Sequence, residues 1–178
     1  MRLLTLKTIA LDAANGTVHS PDRPDFQWGN GTMVATCGRG CKNIDVYNPN
    51  CTHGIYTSPN PEALDEYARY KNSIFVLGVI YGWFEPWPGP ADLPNTFVFR
   101  SWGFRVVNVV NLALNGSRLS PQRWFAAVRA CEIFQVRGFP WNVTQAMIKE
   151  SWKQNFGVNP YASLTDDEMK QFKERLNQ

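Results

Sequence analysis

Three thiols and one imidazole fall within 17 residues of this chain, as Cys37-x3-Cys41-x9-Cys51-x-His53. Tetrahedral zinc takes four soft or borderline ligands of this kind, and Gly38, Gly40 and Pro49 supply bends that turn them toward one centre. Four protein ligands leave no open position for water, so the expected role is structural: zinc would pin the loop leading into Tyr56. Arg39 and Lys42 suit a site with excess thiolate charge. The competing reading is a set of unligated thiols and a surface histidine. His19 and His53 are the only imidazoles, so Ser-His-Asp or Cys-His hydrolysis has little material. Gly38-Arg39-Gly40 lacks the spacing and the following helix of a phosphate-cradling loop.

Two further segments carry binding chemistry. Trp83-Phe84-Glu85-Pro86-Trp87-Pro88-Gly89-Pro90 puts three large aromatics among three prolines, which predicts a stiff loop that is neither helix nor central strand. Trp83, Phe84 and Trp87 could anchor a protein partner there, since a stiff loop loses little entropy on binding, or fold back on the core as a lid. Between Arg100 and Trp141 six arginines face one acid, Glu132, with Trp102, Phe104, Trp124 and Phe125 interleaved. Arginine with aromatics is the chemistry of single-stranded nucleic-acid binding. Arg100 and Arg105 join the aromatic loop in the expected partner surface, whereas the helical arginines are also what a solvated face would carry.

The elements that must position these groups fit one compact domain of 178 residues, 44% hydrophobic and 19% charged. An aromatic content of 13% argues against disorder, and a net charge of +3 does not force nucleic-acid binding. No run approaches 18 apolar residues and Lys7 and Asp12 interrupt the opening segment, so a soluble, cytoplasmic protein without membrane span or signal peptide is expected. Four cysteines are too few for a disulfide scaffold. Asn15, Asn30, Asn50, Asn115 and Asn142 open glycosylation sequons, but three of them are Asn-Gly pairs better read as turns.

Arg2–Leu11 reads as a strand returning at Thr17-Val18-His19. Phe26-Gln27-Trp28 and Thr32–Thr36 read as a second hairpin about Asn30-Gly31. Pro61 opens a helical run over Glu62–Tyr70; Ser73–Trp83 and Phe104–Leu114 read as buried strands. Three helices follow. Ser120 and Pro121 start the first, with Trp124, Val128 and Cys131 on one face and Gly138 past its end. Asn142 and Gly157 bound the second, striped by Ile148, Trp152 and Phe156. Thr165 and Glu168 form a capping box for the third, striped by Met169, Phe172 and Leu176. The expected class is α+β: a mixed or antiparallel sheet over residues 1–119, with the Cys/His loop and one helix, followed by a helical subdomain over residues 120–178 packed on it.

Cys51-Thr52-His53-Gly54-Ile55-Tyr56-Thr57-Ser58, with Val76–Trp83 and Arg100–Val110, resembles uncharacterised actinobacterial and bacteriophage families over roughly half the chain. Their typical residue at the position of His53 is Cys, an exchange that zinc ligation permits. The resemblance implies a small phage-type accessory protein, non-enzymatic, that binds a host macromolecule in the host cytoplasm. The same segment looks like a stretch of ADP-ribosyltransferases of the histidine-tyrosine-glutamate type. In that family one tyrosine lines the nicotinamide pocket and another, eleven residues on, stacks on the ring; Tyr56 and Tyr67 have this spacing. The resemblance implies NAD as ligand and His19 as the ribose-holding histidine, although Ser20 stands where the family has glycine. It departs from the family at the catalytic glutamate, because Glu132, Glu150, Glu168 and Glu174 all fall on expected helices.

Overall fold

A computed structural model describes residues 2–12, 14–21, 23–37, 48, 50–51, 53–64, 73–87, 97–111 and 120–176. The class is α+β. In chain order the described elements are β1 (Leu3–Asp12), β2 (Thr17–Ser20), β3 (Arg23–Gln27), β4 (Thr32–Val34), β5 (Ile55–Thr57), a 3-10 turn at Pro61–Leu64, β6 (Ser73–Trp87) and β7 (Val98–Asn111). Then come α1 (Pro121–Phe134), β8 (Gly138–Pro140), α2 (Trp141–Phe156) and α3 (Asp166–Leu176). The strands form one mixed sheet in the order β3-β2-β1-β6-β7-β4, with β5 and β8 also on β7. Only β8 runs parallel to its neighbour; the other pairs are antiparallel.

The strand order overturns the second hairpin. β3 pairs with β2 and β4 with β7, at opposite ends of the path, although only residues 28–31 join them. Six flat strands would put these ends about 24 Å apart, whereas the five backbone steps from Gln27 to Thr32 reach at most about 19 Å. The sheet must therefore coil on itself. Hydrogen bonds from Trp28 N–H to the Val18 carbonyl and from Val106 N–H to the Gly31 carbonyl, both 2.7 Å, bridge the β2 and β7 sides of the curl. A second bridge comes from the segment after β5: Ile55 is opposite Ser101 of β7, and Ser58 exchanges backbone bonds of 2.7 and 3.1 Å with Leu6 of β1. Inside the curl Trp28 meets Phe104 edge-on at 5.8 Å, among Leu3, Ile9, Val76, Ile80 and Val109.

Much of the outer edge of β1 is satisfied. Asp12 to Ala10 pair with β2, Leu6 with Ser58, and the first residues with side chains of α2. Ser151 Oγ accepts from Leu4 N–H (3.0 Å) and donates to the Arg2 carbonyl (3.1 Å), while the Trp152 indole N–H donates to the Leu4 carbonyl at 3.1 Å. A helix thus blunts what would be an open strand edge. Trp152 is 0% exposed and lies among Phe97, Phe99, Phe156 and Phe172 with ring centroids 5.1–5.7 Å away.

The start and stripe of α3, the start of α1 and the Ile148, Trp152 and Phe156 stripe of α2 agree with the sequence, whereas the stripe of α1 and the cap of α2 diverge. Thr165 and Glu168 form the reciprocal capping box, and Phe172 is buried. Ser120 caps α1 through the Arg123 N–H, but α1 ends at a left-handed Gln135, and Gly138 opens β8 instead. Asn142 lies inside the first turn of α2, whose capping position is Pro140 without a side-chain bond. The buried face of α1 is Ala126, Ala127, Ala130 and Phe134, not the Trp124/Val128 stripe. Small residues let the helix lie close to β6 and β7, which leaves Trp124 54% and Phe125 55% exposed. Most of the helix expected over Glu62–Tyr70 lies outside the described residues, which retain the turn at Pro61–Leu64.

Candidate metal centre

Cys51, His53 and Cys37 are brought together by two segments that run onto β7. Cys37 follows β4, and Cys51 and His53 precede β5; both strands pair with β7, at Gly103–Arg105 and Phe99–Ser101 respectively. One Sγ or ring nitrogen from each residue lies within 4.8 Å of the others, so the three are close enough to hold a metal ion. The two sulfurs are 3.4 Å apart, well beyond the roughly 2.05 Å of a disulfide, and both groups are therefore thiols available as ligands. Cys41, the fourth expected ligand, lies outside the described residues.

His53 is the most informative member. It is 6% exposed, so the surface histidine of the competing reading is excluded, and among the described residues neither ring nitrogen has a hydrogen-bond partner. A buried imidazole with both nitrogens unsatisfied costs free energy unless something binds it. A metal ion on one nitrogen removes part of that cost.

Arg100 is 1% exposed. It pairs with Glu85, donates to the Cys51 carbonyl, and sets its guanidinium 5.6 Å from the Trp83 ring. Trp83 in turn meets the His53 ring edge-on at 5.6 Å. A cation held on the Cys51 carbonyl is electrostatically matched to a thiolate-rich centre. Gly54 makes this approach feasible: at φ +152° it has a backbone that L side chains avoid, and a Cβ there would come within 2.2 Å of Arg100 Cγ.

The segment expected as a proline-stiffened loop is strand as far as Trp87. Glu85 is opposite Arg100, Pro86 opposite Phe99, and Trp87 opposite Val98. The pairing of β1 with β6 stops at Ile80, so beyond that point one side of β6 has no strand partner among the described residues, and a proline is tolerated there. Trp83 and Phe84 are half-buried, Phe84 against Phe99. Arg105 is exposed on β7, whereas Arg100 faces the cluster and not solvent, because its partners Glu85 and the Cys51 carbonyl lie inward. Sequence reasoning placed Arg100 on a binding surface; its register opposite Glu85 shows only once β6 and β7 are paired.

His19 is on β2, with its Nδ1 2.8 Å from the Ser20 carbonyl, and Tyr56 is half-buried on β5, while Tyr67 lies outside the described residues. Of the aromatics among the central arginines, Phe104 is buried, Trp102 packs edge-on against Tyr81 at 5.5 Å, and Trp124 and Phe125 are exposed on α1. Cys131 stands apart from the metal cluster on α1, its thiol pushed up by burial and then by the Glu132 charge. No described helix is long and apolar enough to cross a membrane. Compared with protein families, with curated proteins and with solved structures, the chain finds no match.

Proposed function

We propose that this chain is a non-enzymatic binding protein in which a structural zinc ion, held by Cys37, Cys51, His53 and Cys41, fixes the corner that carries its partner surface. The observation that supports it most is the buried His53 ring, with both nitrogens lacking a described partner, within reach of two thiols. Three thiolates and a neutral imidazole give a zinc centre one net negative charge, which Arg100, shared with Glu85, offsets in part. The contacts from His53 to Trp83 and from Arg100 to Glu85 tie this corner to the end of β6. Trp87, opposite Val98 at that end, is the anchor for a protein partner, which the phage-type resemblance would make a host protein. A closed ligand set has no position for activating water.

Metal analysis of the chain purified without chelators should find about one zinc per protein, lost in Cys51→Ser and in His53→Ala. Chelation should speed amide exchange at Ile55–Thr57 and leave Trp141–Phe156 protected. A metal-free wild type, or zinc retained in Cys51→Ser, overturns the metal assignment. Capture from host lysate tests the surface, and a partner set unchanged by Trp87→Ala refutes that anchor.

A further inference from the structure

A groove of about 690 Å³ runs between α2 and the face of the sheet formed by β1, β6 and β7. It is separate from the metal corner. Its volume lies within the range of roughly 300–1,000 Å³ typical of small-molecule sites. The register explains its floor: Leu4 is opposite Val79 and Val79 opposite Arg105, so these three side chains share one face, joined by Val107 after a register shift and by Met147 from α2.

Two cations stand on this apolar surface. Arg2 and Arg105 both line the groove and are exposed, and neither has an ion-pair partner among the described residues. Each is mounted on rigid backbone. The Arg2 carbonyl accepts from Ser151 and Asn155 of α2, both at 3.1 Å, and Arg105 sits in β7 between β6 and β4. One carboxylate, Glu150, also lines the groove, its Oε1 accepting from Gln154 at 2.8 Å. Two guanidinium groups against one carboxylate leave a single positive charge to be matched. That balance favours a monoanion, and the fork of arginine fits a carboxylate.

We propose that this groove binds a small amphiphilic monocarboxylate, with its apolar body on Leu4, Val79, Val107 and Met147 and its head group against Arg2 and Arg105. The apolar floor supplies affinity by removing hydrocarbon from water. The arginines supply selection for the anion, since a neutral analogue would leave them unpaired.

Calorimetric titration of the full chain with decanoate, decanol and acetate tests this. Decanoate should bind with one site per chain, decanol about tenfold more weakly for want of a charge-assisted hydrogen bond, and acetate not measurably. Arg105→Gln, an exposed position whose fold is checked by circular dichroism, should weaken decanoate about tenfold and leave decanol unchanged. Trp124→Ala, on the exposed aromatic patch of α1, should leave both ligands unchanged. Equal affinity for decanol and decanoate, indifference to Arg105→Gln, or loss of binding in Trp124→Ala each overturns the proposal.

Discussion

Phe99 and Arg100, neighbours in β7, belong to two regions held by opposite kinds of chemistry. At the α2 side Trp152 is fully enclosed by phenylalanines and its one polar atom is bonded to the Leu4 carbonyl. Burial there is non-directional and needs nothing from outside the chain. At the Cys/His corner the buried groups are an imidazole, a guanidinium and the Cys51 thiol, and His53 has no described partner for either nitrogen. Buried polar groups stabilise a structure only when every one is satisfied. The first region should therefore fold under all conditions that sustain a hydrophobic core, and the second should depend on metal and charge.

The largest effect that would test this contrast is at Trp152. Trp152→Ala should cost about 3–5 kcal/mol through lost burial and the cavity left behind, a fall in Tm of roughly 10 °C for a domain of this size. Zinc content should stay at about one equivalent, because none of Cys37, Cys51 and His53 is on α2; loss of zinc in step with stability would show that the two regions are one unit.

A smaller effect is expected at Glu85, the acid that faces the buried guanidinium. Glu85→Gln should destabilise by about 2 kcal/mol, less than a fully enclosed pair would lose because Glu85 is 21% exposed. Urea unfolding with and without chelator sharpens the comparison. The cost should be greater without metal, when the thiolates no longer share in balancing Arg100, and an identical cost in both would separate the ion pair from the metal.

The smallest effect lies outside both regions, at the capping box of α3. The Thr165 backbone N–H and then its hydroxyl, both donating to Glu168, hold that carboxyl below the usual carboxylate range. A folded-state pKa below the unfolded one adds stability that is present above the unfolded value and lost as pH falls through the folded value. Glu168→Gln should therefore lower Tm slightly at neutral pH, with the difference closing in acid; a constant difference across the acid range would refute the cap's electrostatic share.

Much of the architecture could be read without coordinates because it rests on local rules. The period of Ile148, Trp152 and Phe156, the Thr165/Glu168 box, and the long β-branched runs of β1, β6 and β7 each declare an element within a few residues. What failed was the pairing of elements. The Asn30-Gly31 turn does not join a hairpin, since its two strands find better neighbours in β2 and β7. The Trp124/Val128 stripe lost to alanines because close helix packing depends on the opposing surface, which periodicity does not encode.

The spacing of Cys37, Cys51 and His53 named the ligand chemistry, because thiol and imidazole donors are a property of side chains alone. Only the folded chain decided that His53 is buried, that Arg100 turns inward to Glu85, and that Arg2 meets Arg105 across one groove. Those facts depend on which strand lies beside which, and strand register is set by packing between segments far apart in sequence.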